Sequence, residues 1–313
     1  MSQNRQRHRY ARYKALRNHV LALTPFTYTS RTLANERHPE RNEDSILIDQ
    51  ATGLVAVFDG VGGSAAGEIA SQTAARATCA GWRRILRRYQ QGRRTLTMLE
   101  DSPDLNLSVV LQDLILESDE LVRTEGATRA GTDDLATTVA LAAFCREPET
   151  DSYVMVYAHV GDSRIYLLRE QEQIRRLTSD DGLLAKLVEN QIVHELDALR
   201  IDQAMQAHEL SDIEFNYFRL RGGITQALGG PLPPTIHINR IDIKPGDRIL
   251  LCTDGIHDNL IDQEIEQVIR NTPRTANARI LVEHAIARSR QDRSVTIRAK
   301  PDDMSAVVVT YRF

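Results

Sequence analysis

At 313 residues, with 42% hydrophobic and 26% charged content, the chain can bury one large core or two modest ones and has none of the composition of a disordered protein. A net charge of −4 gives no basis for general nucleic-acid affinity, and no apolar run approaches the ~18 residues of a membrane helix. Cys79, Cys145 and Cys252 are odd in number and form no CxxC pair, which argues against a thiolate metal site. Together with the lack of an apolar signal core at the N-terminus, they point to buried thiols in the cytoplasm.

Residues 1–27 are expected to form a basic, helical N-terminal extension, with Arg5, Arg7, Arg9, Arg12, Lys14 and Arg17 and no acid. It packs on its own domain, docks on an acidic partner or membrane surface, or serves as a targeting segment. Residues 28–313 read as one domain. Ser45 to Asp49 and Gly53 to Phe58 form a β-hairpin around Gln50-Ala51-Thr52. A helix follows, N-capped by Ser64 and continuing to about Gln91, then a loop over Gly92 to Pro103. A second helix runs from Leu105 to about Gly126.

Thr137 to Phe144, Tyr153 to Val160 and Arg164 to Arg169 are rich in β-branched and aromatic residues and read as successive antiparallel strands. A polar insertion over about 183–219 is helical at its start and placed to act as a flap over a site. Ile236 to Ile243 and Arg248 to Thr253 read as a second hairpin-like pair. Helices at Gln263 to Ile269 and Ala276 to Arg288 precede a closing strand, Ser305 to Arg312. Such short connections exclude a repeated βαβ unit and favour antiparallel sheets covered by helices, an α+β fold.

Two apolar runs each deliver an acid into a glycine turn: Val57-Phe58-Asp59-Gly60 and Leu251-Cys252-Thr253-Asp254-Gly255. Asp162 follows a third strand-like run, and Asp302-Asp303 precede a fourth. Ionised carboxylates brought together repel unless a cation neutralises them, and oxygen-only donors favour Mg²⁺, Mn²⁺ or Ca²⁺ over zinc.

These motifs, with Arg41-Asn42-Glu43-Asp44, Ala136-Thr137-Thr138, Val160-Gly161-Asp162-Ser163-Arg164 and Leu177-Thr178-Ser179-Asp180, occur in an order that resembles the metal-dependent serine/threonine protein phosphatases of the protein phosphatase 2C family. The resemblance covers about residues 28–313. It implies a β-sandwich of two antiparallel sheets flanked by helices on both sides, with two Mn²⁺ or Mg²⁺ ions at one end. By resemblance, Asp59 bridges the ions, the Gly60 carbonyl binds one, and Asp254 and Asp302 complete the direct ligands. Glu43 and Asp44 match acids that hold metal-bound water, and Asp162, Asp254 and Asp258 match a weaker third site found in several members. Asp303 stands where asparagine is usual and reads as an outer group.

The chemistry fits. Two adjacent cations acidify a shared water into a hydroxide nucleophile and neutralise the phosphoryl oxygens, so no side-chain nucleophile is needed. The implied activity is hydrolysis of phosphoserine and phosphothreonine in proteins by a monomeric enzyme. The alternatives are a phosphoprotein-binding sensor with the same fold and a phosphatase of a non-protein phosphoester. Three departures bear on that choice. Pro39 replaces a phosphate-binding arginine, leaving Arg37 or Arg41 to serve. Val61 replaces a histidine proposed as general acid, with His257 as either a donor or a spectator. Asp181 replaces the usual histidine after Asp180.

Overall fold

The computed structural model describes residues 25–62, 66–89, 106–147 and 152–312. Two antiparallel sheets stack face to face. One has the order β1 (Phe26–Leu33), β11 (Met304–Tyr311), β10 (Arg248–Cys252), β7 (Arg164–Leu168), β8 (Arg175–Arg176). The other has the order β2 (Asp44–Asp49), β3 (Leu54–Gly62), β5 (Val139–Arg146), β6 (Tyr153–Val160), β9 (His237–Ile243), with β4 (Leu135–Thr137) paired to the end of β3.

Side-chain alternation assigns each face a partner. On β3, Leu54, Ala56 and Phe58 face helices α1 (Ala66–Tyr89) and α2 (Leu107–Leu121), while Val55 and Val57 face the opposing sheet. On β11, Val307 and Val309 point into the sandwich. Ala306 and Val308 pack outward on α8 (Asp262–Asn271) and α9 (Asn277–Ser289). The central strands are therefore covered on both faces, and every residue of β11 is buried. Helix, sheet, sheet, helix is the expected α+β sandwich.

The 45–58 hairpin is present, with Asp44 opposite Asp59 and Gly53 turning at φ 74°. The two helices after it are present as well. Asn106 caps α2 through its side chain, and a π-helical turn over Val122–Gly126 leads into α3 (Ala127–Ala130). Ser64, the loop over 92–103 and the basic extension up to residue 24 lie outside the described residues.

Other expectations change. β1 starts at Phe26, inside the stretch read as extension, because its polar, exposed outer residues hide the pairing of Phe26 to Leu33 with β11. The 236–253 pair is not a hairpin. β9 pairs with β6 and β10 with β7 and β11, so Lys244-Pro245-Gly246-Asp247 carries the chain from one sheet to the other. β6 and β7 likewise belong to different sheets, and Gly161, at φ 94°, makes the crossing. β6, β7 and β10, buried on both faces, carry no alternation that would tell a hairpin from a sheet change.

The insertion folds as α4 (Leu183–Glu189), α5 (Glu195–Asp202) and α6 (Asp212–Leu220) around a small core of Leu184, Val193, Ile201, Ala204 and Phe218. It docks through buried charge. Arg164 spans Asp180 (2.5 Å) and Asp202 of α5 (3.0 Å), and Arg176 reaches Asp202 at 2.5 Å.

Candidate metal centre

The acids meet at one end of the sandwich because four strands end or begin there. β2 starts at Asp44 beside Asp59, and β10 ends beside the start of β11, with Cys252 opposite Ala306. The one-turn helix α7 (Asp254–His257) opens directly on Asp254. Backbone bonds set each acid in place. Thr138 N–H and the Thr137 hydroxyl both donate to the Asp59 carbonyl (2.8 and 2.9 Å), which gives the Ala136-Thr137-Thr138 motif its role. Thr253 N–H donates to the Ser305 carbonyl, and Ser305 N–H returns a bond to the Thr253 hydroxyl.

Both glycines after the acids are needed for space. A Cβ on Gly60 would overlap the carbonyl oxygens of Gly67 and Glu43, and one on Gly255 would overlap that of Asp303. Asp303 is a clamp. Its two carboxylate oxygens accept the Asn35 and Glu43 backbone N–H groups, both at 2.6 Å, which asparagine could do on one side only.

Electrostatically the cluster is short of positive charge. Burial, then repulsion from Asp254, Asp44, Asp302 and Asp162, pushes the Asp59 carboxyl well above the usual carboxylate range. Burial and then Asp254, Asp180 and Asp258 do the same to Asp162. Asp44 is raised by burial although the Thr253 hydroxyl donates to it at 2.7 Å. Asp302 is pushed up to about 7, by burial first and Asp254 next, against the pull of Lys300. Among the described residues no cation forms an ion pair with Asp59, Asp44 or Asp162. An all-oxygen donor set carrying uncompensated charge fits hard divalent ions.

Lys300 is the protein cation inside the cluster. Its Nζ lies 2.5 Å from Asp254, 2.8 Å from Asp258 and 3.1 Å from Asp302. Arg221, at the foot of the insertion, reaches the other oxygen of Asp258 at 3.3 Å and stacks on Phe218. Arg164 is committed to Asp180 and Asp202, so Asp162 is not its partner. His257 is buried, and its Nε2 donates to the Asp162 carbonyl at 3.0 Å. Burial, then the Arg164 charge, lowers its pKa to about 4, which makes it a neutral support for Asp162.

Glu43 is half-buried, raised by burial, and paired with Arg41 at 3.4 Å. Arg37 is exposed and lines a cleft of about 270 Å³ with Asn35, Arg290, Asp302 and Met304. Lys300, Arg221 and Arg290 did not emerge from the sequence. The Arg-Ala-Lys-Pro-Asp-Asp spacing was the available signal for Lys300, since a lysine two residues before an acid can fold back onto it.

Comparison with known proteins agrees with this architecture. The family model described as Protein phosphatase 2C matches residues 34–288. The chain is 29% identical over 254 residues to the serine/threonine protein phosphatase PstP of Mycobacterium tuberculosis, covering 78% of this chain and 39% of that protein. It is 24% identical over 218 residues to the serine/threonine phosphatase stp of Listeria monocytogenes, covering 70% and 72%. It thus spans well under half the length of PstP.

The crystal structure of M. tuberculosis PstP/Ppp superposes with TM-score 0.66 at 24% identity, covering 92% of this chain and 99% of that one. The PstP catalytic domain in complex with two manganese ions gives 0.64 at 24% identity, with the same coverage. These likenesses establish the fold, and the family match, which runs from the β1–β2 loop to the last helix, makes this chain a member of the protein phosphatase 2C family.

Proposed function

We propose that this protein hydrolyses phosphoserine and phosphothreonine in proteins with a pair of Mn²⁺ or Mg²⁺ ions held by Asp59, the Gly60 carbonyl, Asp254 and Asp302. The observation that carries the reading is the convergence of these carboxylates, with Asp44 and Asp162, on one end of the sandwich, where burial and mutual repulsion resist the ionisation of Asp59, Asp44, Asp162 and Asp302. The names of the relatives support the substrate class, and the manganese in the PstP catalytic domain supports the cofactor. Ions bound here would supply a water acidic enough to attack phosphorus and positive charge for the phosphoryl oxygens.

The chain's own residues prepare the rest. Thr137 and Thr138 fix Asp59, Asp303 ties the β1–β2 loop to the site, and Glu43 and Asp44 would orient water around bound ions. The cleft beside Asp302 admits the phosphate-bearing segment past Arg37, the arginine open to bind it, whereas Arg41 is held by Glu43. His257 has its Nε2–H on the Asp162 carbonyl and none to give a leaving alkoxide. We assign residues 28–313 as the catalytic domain, extended to include β1, and 183–219 as a flap that shapes substrate access. No helix among the described residues is long and apolar enough to cross a membrane, and a cytoplasmic monomer accords with the free thiols of Cys79 and Cys252.

The test is phosphate release from a phosphothreonine peptide. Turnover should require added Mn²⁺ or Mg²⁺, stop with EDTA, and fall at least ~1,000-fold in Asp59→Asn. Chelator-insensitive turnover would overturn the reading.

A further inference from the structure

Lys300 sits where the third-ion assignment places a cation. Of the three acids of that site, Asp254 and Asp258 both bond its ammonium, at 2.5 and 2.8 Å. Asp258 has no oxygen left over: Oδ2 takes Lys300 and Oδ1 faces Arg221 at 3.3 Å. Gly222, next to Arg221, passes so close that a Cβ there would lie 3.7 Å from the Asp258 carboxylate and 3.9 Å from the ammonium, so the foot of the flap closes over the pair. A divalent ion on the same oxygens would have to displace two protein cations or accept their repulsion at contact distance. Asp59 and Asp44 touch neither Lys300 nor Arg221 at ion-pair distance, so the side of the cluster around Asp59 remains open to ions.

We propose that Lys300, seconded by Arg221, permanently takes the place of the third divalent ion, so that this chain binds the paired ions and no third. The inference rests on the paired-ion reading above. Lys300 is a positioning residue in this scheme: it neutralises Asp254 and Asp258, also lies 3.1 Å from Asp302, and leaves the Asp59 side of the cluster to the pair. Unlike a weakly held ion, a tethered ammonium does not depend on the free metal concentration.

Metal content measured by equilibrium dialysis against saturating Mn²⁺ tests this without reference to activity. About two ions per wild-type chain are expected, rising to about three in Lys300→Met, a neutral variant of similar length, and remaining at about two in Lys300→Arg. Adding Asp258→Asn to Lys300→Met should return the count to about two. A third ion in wild type, or no gain in Lys300→Met, would overturn the proposal. Fewer than two ions in wild type would instead overturn the paired-ion reading, and this proposal with it.

Discussion

Gly255 follows Asp254 and leaves no room for a side chain, because the Asp303 carbonyl fills the Cβ position. Gly255→Ala must therefore part α7 from the start of β11, moving Asp254 relative to Asp302. A loss of about 1–3 kcal/mol in stability by urea denaturation is expected, together with weaker Mn²⁺ binding. Asp303 makes a second residue-scale case. Asp303→Asn would turn an amide N–H₂ toward a backbone N–H of Asn35 or Glu43, and a loss of about 1–3 kcal/mol should appear in the same assay. Asp59 and Asp254 were legible in the sequence because an apolar run ending in Asp-Gly is a local pattern. The clamp by Asp303 and the hold of Lys300 on Asp254 and Asp258 were not, since each joins partners brought together only by folding, Asn35 lying 268 residues away from Asp303.

At the scale of elements, strands and helices were readable by period and composition, and the order of strands was not. The turn Lys244-Pro245-Gly246-Asp247 has the residues of a hairpin loop, yet it joins two sheets. Only the pairing of β9 with β6 and of β10 with β7 and β11 decides the matter. The flap shows the same limit: its helices are locally coded, but its attachment is the Arg164–Asp180–Asp202–Arg176 network between distant segments. Within it Asp202 feels burial, which opposes ionisation, but Arg164, Arg176 and Arg298 outweigh that and hold its carboxyl well below the usual range.

A depressed folded-state value means that Asp202 contributes stability above its unfolded pKa of about 3.9 and loses it as pH falls toward the folded value. Asp202→Ala should cost about 3–5 kcal/mol at neutral pH, because two guanidinium groups lose a buried partner. Denaturation curves recorded at neutral pH and below pH 4 should converge for wild type and variant as the acid limit is approached. Hydrogen exchange should show the first loss of protection in α4 to α6.

For the molecule as a whole, one end of a dry sandwich has been left electrostatically incomplete. Four strands and a one-turn helix bring carboxylates together, and the protein supplies Lys300 and Arg221 against them. Such a site gains stability from cations that bind the native state alone, so Mn²⁺ at 100 times its Kd should add about 2.7 kcal/mol, read as a rise in Tm that EDTA reverses. The α+β class followed from the short connections between strands and the acids at strand ends from local pattern, while the balance of charge emerged only from three dimensions. Anomalous scattering at the manganese edge, from crystals grown with Mn²⁺, addresses the metal centre most directly. A pair of maxima flanking the Asp59 carboxylate, within bonding distance of Asp254 and Asp302 and with none on the Lys300 side of Asp258, is the predicted result. Manganese absent from the space between Asp59, Asp254 and Asp302 would contradict the account.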